Sequence, residues 1–493
     1  MSHGDTLLFL LQRAAQDRPE HPAVEDGART LGYGALHAAA EALAARLLGA
    51  GVVPGARVLL HLRPGADEVI AWFAVMRLGA IAVPTHQAWR ARQLRHVLED
   101  SGASAVVSDA PGRWPDAGVA VVTPGGPPAG DPLPLPAPPE PDALAAIFYT
   151  SGSTGSPKGV THTHGALAAC ARSITQTLGN TPDDRLLGLL PLAFHYGFSQ
   201  LSTMVTVGGT LILEPLVMPA AVLDRAVEHR VTGIAGVPAT WALLTGMLQE
   251  APRALPDLRY VTNAGGALSP RVLQALPEVF PGVDIHLLYG MTEALRSTAL
   301  PPGRFAEKPG AIGCAVPGAE VFVVAEDGRL CDTGQLGELV HRGAFVSPGY
   351  WRQPEASARK FRPCPAAGEG ARVCWSGDLV RRDAEGILWF VSRKDALMKV
   401  GGYRVGPGEI EDALVDTGLV DEAVAVGVPH PVTGQAVAVA VSGPDVDEAA
   451  LKRAWQRDLP RYMWPQRLLV WPGPLPRTAT GKPDRAAVRA ALG

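Results

Sequence analysis

Residues 56–85 read ARVLLHLRPGADEVIAWFAVMRLGAIAVPT, and this stretch decides the fold class. Two short runs rich in Val, Leu and Ile, 56–62 and 80–85, have the length and composition of strands. The run between them, 69–79, ends at a glycine and has the length and composition of a helix. This order of strand, helix and strand predicts parallel strands joined by a helical crossover.

The same alternation continues along the chain. It predicts helices at 93–102, 163–178, 219–229 and 239–249, and strands at 104–110, 145–150, 186–190, 210–213, 233–236, 258–266 and 284–290. Between about 305 and 391 the apolar runs are shorter and turn-rich, which predicts a smaller, mainly antiparallel sheet or barrel. The last part of the chain predicts helices at 409–416 and 447–458 with strands at 420–428, 434–442 and 467–471.

We therefore expect an α/β protein of two domains. Residues 1–394 would form a large N-terminal domain of stacked α/β sheets with a small β-barrel-like subdomain. Residues 395–493 would form a small α+β C-terminal domain.

The composition of the chain limits the classes of partner that it is expected to bind. The net charge is −4 and the chain has no basic run, which argues against nucleic acid and against an anionic membrane. Five scattered cysteines without CxxC spacing argue against a disulfide framework and a zinc site, and they suit a reducing compartment. The N-terminus has neither the basic region of a signal peptide nor an apolar run long enough for a membrane span. These features predict a cytoplasmic, enzyme-sized protein.

The stretch YTSGSTGSPKG, residues 149–159, follows a predicted buried strand and precedes a predicted helix. Glycine lets the backbone approach a ligand closely, and the Ser and Thr hydroxyls add hydrogen-bond donors. Lys158 adds a mobile positive charge. The composition predicts a triphosphate-binding loop, although GxxxxGK[ST] is not matched, and the alternative is a flexible surface linker.

This stretch closely resembles the phosphate-loop signature of the acyl-adenylate-forming enzymes, which include acyl-CoA synthetases, peptide-synthetase adenylation domains and luciferases. The other signatures of that superfamily follow in its order and cover nearly the whole chain: NAGGALSP (263–270), YGMTE (289–293), WSGDL (375–379), SRKDALMKVGGYRVGPGEIE (392–411) and PRTATGKPDR (476–485). The resemblance implies adenylation of a carboxylic acid by ATP and Mg²⁺, with release of pyrophosphate.

The resemblance also implies a role for each matching residue. Lys158 would bind the departing phosphates together with Thr150, Ser151, Ser153 and Thr154. Thr292 would donate to the α-phosphate, and Glu293 would bind Mg²⁺. Lys482 would bridge carboxylate and phosphate oxygens as they meet. The turn at Gly265 and Gly266 would flank the nucleotide, and the adenine would stack on Tyr289. The ribose would bind Asp378 and Arg393. Tyr289 could equally be a core aromatic residue.

A second half-reaction is implied by the same resemblance. The small domain would be mobile and would rotate about a hinge at Asp395, exchanging Lys482 for the VGGYRVG loop. Gly401 and Gly402 would let a pantetheine arm pass, and Arg404 would contact a phosphate of the thiol substrate. The acceptor would be CoA or the phosphopantetheine of a holo carrier protein, and we expect it to be a separate molecule because no carrier-type serine motif follows Lys482.

The acyl pocket is implied at LPLAFHYGFSQL, residues 190–201, with His195, Tyr196, Gly197 and Gly290 as its residues. No acidic residue lies between Leu186 and Leu213, so a substrate ammonium would lack a counter-charge there, which disfavours an α-amino acid. An aromatic or short-chain carboxylate is expected. Three alternatives stay open: loading of a carrier protein, attack by a non-thiol nucleophile such as an amine, and a non-catalytic nucleotide-binding scaffold.

Overall fold

The computed structural model describes residues 6–27, 29–89, 91–114, 118–125, 134–150, 157–214, 219–368, 370–394, 398–400, 403–430, 434–459, 461–478 and 481–493. Within them the strands form four sheets. Two sheets are mainly parallel, as the alternating pattern predicts, and the α/β class is confirmed. In the same described ranges, no helix combines the length and the apolar character that crossing a membrane requires.

The larger parallel sheet has the spatial order β15-β14-β13-β12-β11-β9-β10-β1-β2. Its strands are β1 (Pro22–Glu25), β2 (Thr30–Gly32), β9 (Arg185–Gly188), β10 (Thr210–Leu213), β11 (Gly233–Gly236), β12 (Tyr260–Asn263), β13 (Asp284–Met291), β14 (Leu295–Leu300) and β15 (Cys314–Ala315). The run from β1 to β13 is parallel, whereas β14 returns antiparallel to β13. The carboxyl ends of β12 and β13 therefore open on the same edge, where ligands bind in open α/β sheets.

The second parallel sheet has the order β6-β5-β3-β4-β7-β8. Its strands are β3 (Arg57–His61), β4 (Ile81–Pro84), β5 (Ala105–Ser108), β6 (Ala120–Val122), β7 (Leu144–Thr150) and β8 (Lys158–Thr163). The strand β8 corrects the sequence analysis, because the glycine-rich stretch leads into this antiparallel strand and not directly into a helix.

Contacts remote in the chain explain β8. The backbone N–H of Trp351 donates to the carbonyl oxygen of Gly159 at 2.7 Å, and the N–H of Thr161 donates to the carbonyl oxygen of Gly349 at 3.0 Å. A Cβ on Gly159 would lie 2.6 Å from Ile147 of the neighbouring strand, so only glycine allows this close approach.

The helices cover the two parallel sheets and the C-terminal sheet. They are α1 (Leu7–Asp17), α2 (Tyr33–Gly49), α3 (Ala66–Arg77), α4 (Ala91–Ser101), α5 (His164–Leu178), α6 (His195–Val207), α7 (Pro219–Glu228), α8 (Pro238–Glu250), α9 (Pro270–Val279), α10 (Pro354–Lys360), α11 (Pro407–Val415), α12 (Glu448–Asp458) and α13 (Arg485–Leu492). The sequence analysis did not predict α6, which begins inside the segment expected to line the acyl pocket.

The main core packs helices α3, α5 and α6 against the six-stranded sheet. The ring of Trp72 from α3 lies 5.8 Å from Phe148 of β7 and 4.3 Å from Phe198 of α6. Helix α3 is apolar on nearly every side and almost wholly buried, which is typical of a helix enclosed between layers. This core fixes the start of α6 relative to β7.

The turn-rich segment forms an antiparallel sheet, as expected from its short apolar runs. Its order is β16-β17-β19-β18, with β20 paired to β19, and its strands are β16 (Ala319–Val324), β17 (Leu336–Gly343), β18 (Phe361–Pro363), β19 (Arg372–Arg382) and β20 (Leu388–Arg393).

The last part of the chain forms its own sheet and core. The order is β22-β21-β24-β23, with β25 paired to β24, and the strands are β21 (Met398–Val400), β22 (Tyr403–Val405), β23 (Glu422–His430), β24 (Gly434–Ser442) and β25 (Arg467–Val470). Helices α11 and α13 pack on this sheet and α12 packs against α11, which gives the expected α+β arrangement.

One buried carboxyl group stands out in the core. Glu68 lies in α3 with 6% of its surface exposed, and its Oε2 atom accepts no hydrogen bond from the described residues. Burial, reinforced by the nearby charge of Asp109, raises the pKa of Glu68 to about 8. The folded chain therefore keeps a proton that the unfolded chain releases near the ordinary pKa of 4.5.

We expect Glu68 to make the fold less stable as the pH rises from 4.5 to about 8. In Glu68→Gln this proton is absent, so its free energy of unfolding relative to wild type should rise over that range by up to ~5 kcal/mol. Urea unfolding at both ends of the range measures the difference. Glu250→Gln, at an exposed position, is the control and should change little with pH, and a pH-independent difference for Glu68→Gln would contradict the assignment.

Candidate functional site

The turn between β13 and β14 carries the YGMTE motif at the carboxyl edge of the large sheet. Leu295 has a positive φ of 46°, and a Cβ on Gly290 would lie 1.9 Å from the carbonyl oxygen of Leu295. Any side chain at Gly290 would therefore break the tight return of the chain. The turn places Thr292 and Glu293 just beyond the strand end.

A second group of residues faces this turn from the antiparallel sheet. Asp378 on β19 lies opposite Arg393 on β20, and Arg393 Nη1 is 2.9 Å from Asp378 Oδ1. The hydroxyl of Tyr289 donates to Asp378 Oδ2 at 2.5 Å, and burial together with this carboxylate raises the pKa of Tyr289 well above its usual range. The hydroxyl oxygen of Ser376 accepts from the N–H of Asp378 at 2.8 Å and fixes that residue's backbone.

Tyr289 has the contacts of a core aromatic residue, and its expected contact with adenine stays a prediction. Its ring stacks on His341 with centroids 6.0 Å apart, as a core residue would, while its hydroxyl reaches the carboxylate expected to bind ribose. The three residues Tyr289, Asp378 and Arg393, far apart in sequence, form one cluster.

Glu293 and Lys158 lie on either side of Tyr350, a residue that the sequence analysis missed. The Tyr350 hydroxyl donates to Glu293 Oε1 at 2.6 Å, and the Lys158 ammonium lies 5.6 Å from the centre of the Tyr350 ring. Thr150 pairs with Lys158 across the β7–β8 hairpin, so both lie at the base of the glycine-rich loop.

The donor set fits Mg²⁺. Oε2 of Glu293 accepts no hydrogen bond from the described residues, so one hard carboxylate oxygen is free to bind a cation. Those residues contain no group of three or more His, Cys, Asp or Glu side chains arranged to hold a metal. This combination suits Mg²⁺, which usually takes one or two carboxylates and completes its shell with phosphate oxygens and water.

Two neutral histidines hold Thr292. His162 of β8 donates from Nε2 to the carbonyl oxygen of Thr292 at 2.8 Å, and His195 Nδ1 lies 3.1 Å from the Thr292 hydroxyl. Burial lowers the pKa of His162 to about 4 and that of His195 to about 3, the second reinforced by Arg296. His162 was missed by the sequence analysis, and only its alternation with His164 in THTHG marked it as facing one side of a strand.

Lys482 lies in the segment between β25 and α13 of the C-terminal part. Its loop is a tight turn in which Thr478 N–H donates to the Lys482 carbonyl oxygen at 2.7 Å, and Gly481 takes a φ of 78°. Solvent reaches the side chain, but the surrounding protein lowers the pKa of its ammonium; the charges of Asp378, Arg393 and Glu293 also act on it. Lys482 therefore faces the same cleft as the motif residues.

Three of the residues expected to line the acyl pocket, His195, Tyr196 and Gly197, lie at the start of α6. Tyr196 is buried, and its hydroxyl hydrogen-bonds the Thr262 hydroxyl at 2.8 Å. A Cβ on Gly197 would lie 1.9 Å from the carbonyl oxygen of Pro191, so the turn into α6 requires glycine. His195 borders a narrow chamber of about 10 Å³, which is otherwise lined by Leu167, Cys170, Ile174, Phe198, Ser199, Ser202, Leu295 and Arg296.

The turn after β12 follows the same edge of the sheet. Gly265 has a φ of 86°, and the Asn263 side chain donates to the carbonyl oxygen of Gly266 at 3.0 Å. Arg404 lies in β22. The expected roles of Ser151, Ser153, Thr154, Asp395, Gly401 and Gly402 fall outside the described residues.

Comparisons with known families agree with this geometry. The family described as "AMP-binding enzyme" matches residues 11–351, and the family "AMP-binding enzyme C-terminal domain" matches residues 409–482. The first match covers more than half of the chain and contains Lys158, Thr292 and Glu293, while the second ends at Lys482.

Individual proteins are similar along nearly the whole chain. Phosphinothricin tripeptide synthetase PhsC of Streptomyces viridochromogenes is 36% identical over 99% of this chain, which spans 45% of that protein. Novobiocin biosynthesis protein H of Streptomyces niveus is 31% identical over 98% of this chain, which spans 82% of that protein.

A solved structure is similar over the same extent. The o-succinylbenzoate CoA synthetase MenE of Bacillus subtilis, in complex with the acyl-adenylate intermediate OSB-AMP, has a TM-score of 0.88 and 28% identity, covering 97% of each chain. The same enzyme has also been solved with ATP and a magnesium ion. The chain therefore belongs to the AMP-binding enzyme family, the superfamily of AMP-forming, acyl-adenylating enzymes.

Proposed function

We propose that this chain joins a carboxylic acid to the AMP moiety of ATP and then passes the acyl group to the thiol of CoA. In the first step a carboxylate oxygen attacks the α-phosphorus, and the bond from that phosphorus to the bridging oxygen of pyrophosphate breaks. In the second step the thiolate sulfur attacks the acyl carbon and AMP leaves. The observation that carries the proposal is that the charges of Asp378, Arg393 and Glu293 act on the ammonium of Lys482.

Positive charge is what the first step needs, because a carboxylate and a triphosphate repel each other. Lys482 would neutralise the carboxylate and α-phosphate oxygens as they approach each other. Lys158 would neutralise the departing phosphates. Thr292 would donate its hydroxyl to the α-phosphate, and the neutral imidazole of His195 would donate from Nδ1 to the Thr292 oxygen while adding no charge of its own. Mg²⁺ bound at Glu293 would supply further charge neutralisation at the phosphates.

Ribose would bind at Asp378, which Arg393 and Tyr289 hold in place. The neighbouring turn at Gly265 and Gly266, which lies at the carboxyl edge of β12, would border the nucleotide. Ser151, Ser153 and Thr154 would complete the phosphate loop that begins after Thr150. These assignments follow the family motifs residue by residue.

For the second step, we propose that residues 395–493 rotate as a domain against residues 1–394 about Asp395. The loop with Gly401, Gly402 and Arg404 would then replace Lys482 at the cleft. The orientation described above, with Lys482 at the cleft, corresponds to the adenylating pose.

CoA is favoured as acceptor by the likeness to a CoA synthetase along 97% of both chains. Peptide synthetases are among the relatives, which keeps a holo carrier protein as the alternative acceptor. Attack by a non-thiol nucleophile is the remaining catalytic alternative.

The acid would be aromatic or short-chain and not an α-amino acid. No acidic residue lies among the side chains that line the described chamber beside His195, and Arg296 lines it with a positive charge. A substrate ammonium would therefore meet repulsion and no counter-charge.

A panel of carboxylic acids tests the proposal by pyrophosphate release in the presence of ATP and Mg²⁺. We expect release to depend on the acid, and AMP and an acyl thioester to accumulate when CoA is added. Repeating the assay with a holo carrier protein and with an amine separates the acceptors. If no acid of any class releases pyrophosphate although ATP binds, the chain acts as a scaffold and the proposal is wrong.

A further inference from the structure

Arg296 is a buried arginine beside the proposed site. It belongs to β14, and only 3% of its surface is exposed. In the strand register it lies opposite Gly290, the glycine of the YGMTE motif. Its side chain is therefore held one strand away from the turn that carries Thr292 and Glu293.

Among the described residues, no anionic group pairs with the guanidinium group of Arg296. Within the described parts of the chain it makes no hydrogen bond or ion pair, and its buried Nε atom has no acceptor. Its contact is with the face of Tyr196, whose ring centre lies 4.9 Å from the guanidinium carbon. A buried charge without a counter-ion costs several kcal/mol, more than one cation–π contact returns.

Other arginines of the protein show the usual arrangement. Arg185 pairs with Glu25 at 3.0 Å, and Arg259 pairs with Asp184 at 2.6 Å. Arg296 is therefore unusual in this chain because its burial is nearly complete while its charge is not balanced by a carboxylate.

The chamber itself offers Arg296 no acceptor with a negative charge. Its polar side chains are those of His195, Ser199 and Ser202, and the two serine hydroxyls already donate to the helix carbonyl oxygens of Tyr196 and Ser199. The rest of the lining is apolar, apart from the Cys170 thiol, whose pKa burial raises to about 11, so that it stays uncharged at neutral pH. Among the described side chains that line the chamber, the guanidinium of Arg296 is thus the hydrogen-bond donor that lacks an acceptor.

We propose that the acid activated by this protein carries a second carboxylate, which binds Arg296 inside the acyl chamber while the first carboxylate is adenylated. This inference rests on the proposed function and names the substrate class of that same site. The chamber has a volume of about 10 Å³, which leaves no room for an apolar or aromatic body, so only the second carboxylate would enter it and complete the charge pair that the described residues lack. The short distance along the strands from Arg296 to the motif turn favours a compact diacid.

Matched pairs of acids provide the test: benzoate with isophthalate, propionate with succinate, and butyrate with glutarate. Pyrophosphate release by the wild-type chain should give a kcat/KM for at least one diacid about 100-fold or more above that of its matched monoacid, because a buried polar group left unpaired discriminates strongly. Monoacids used equally well or better in every pair would overturn the proposal.

Variants separate recognition from structural effects. Arg296→Met should lower kcat/KM for the preferred diacid by about 100-fold or more and leave the matched monoacid within about fivefold, whereas Arg296→Lys should keep part of the preference. Arg185→Met is the control, since it removes a partly exposed arginine from its ion pair with Glu25 and should leave the diacid-to-monoacid ratio unchanged. A ratio that does not change in Arg296→Met also overturns the inference.

Different results would contradict the proposed adenylation activity and the diacid inference. If Arg296→Met does not fold, as judged by loss of its thermal shift with ATP, the wild-type pairs alone decide. If monoacids release pyrophosphate and diacids do not, adenylation stands and the diacid inference is wrong. If neither these series nor any other acid of the panel releases pyrophosphate, both are wrong.

Discussion

Lys482→Ala is expected to lower acid-dependent pyrophosphate release by about 1,000-fold while sparing the transfer of a supplied acyl-adenylate to CoA. The ammonium of Lys482 shares the cleft with Asp378 and Glu293, and the residues that hold those two carboxylates do not depend on it. Removing Lys482 should therefore leave the negative charges of the attacking carboxylate and of the α-phosphate without this neutralising cation. The rest of the site should stay undisturbed.

Two assays separate the half-reactions: acid-dependent exchange of labelled pyrophosphate into ATP, and thioester formation from synthetic acyl-adenylate. Lys452→Ala, which changes an exposed lysine on α12 of the same C-terminal part, is the control and should alter neither rate. Equal loss of both half-reactions in Lys482→Ala would contradict the division of labour between the two poses.

Asp378→Asn is expected to lower kcat/KM for ATP by about 100-fold, mainly through KM. An aspartate can accept a hydrogen bond on each carboxylate oxygen, whereas asparagine has one acceptor and no charge. Losing the charge-assisted bonds to the two ribose hydroxyls accounts for ~3 kcal/mol. The substitution also removes the ion pair with Arg393 and the charged acceptor of Tyr289.

Initial rates at varied ATP concentration, together with ATP binding by calorimetry, measure this effect. Asp383→Asn is the matched control, because Asp383 also accepts several hydrogen bonds in the β19–β20 hairpin but at its other end, next to Lys308 and Trp389. It should lower the thermal stability and leave KM for ATP unchanged. An unchanged KM in Asp378→Asn would remove Asp378 from the nucleotide site.

Much of the fold could be predicted from local sequence patterns. Apolar runs separated by glycine residues predict the strands β3, β4 and β5 and the helix α3. Such runs are short-range properties of the chain. The glycines at 197 and 290 were assigned to the acyl pocket, and the structure adds that the backbone leaves no room for a Cβ at either position.

Local patterns did not reveal which distant groups meet. The strand β8 pairs with β7 on one edge and with residues near Gly349 on the other, and no periodicity within 158–163 indicates the second partner. His162 reaches Thr292 across 130 positions of sequence, and Tyr350 reaches Glu293 across 57. The arginine in the apolar run LRSTAL was the one visible signal for Arg296.

The sequence by itself determined the alternation of strands and helices and the ordered motifs that carry the chemistry, because periodicity and motif are properties of neighbouring residues. Only the tertiary structure decided that Tyr289 and Arg393 both hold Asp378, that Lys482 faces them, and that Arg296 is buried without a carboxylate. Those facts depend on contacts between segments far apart in the chain, where burial sets the electrostatic environment of each group.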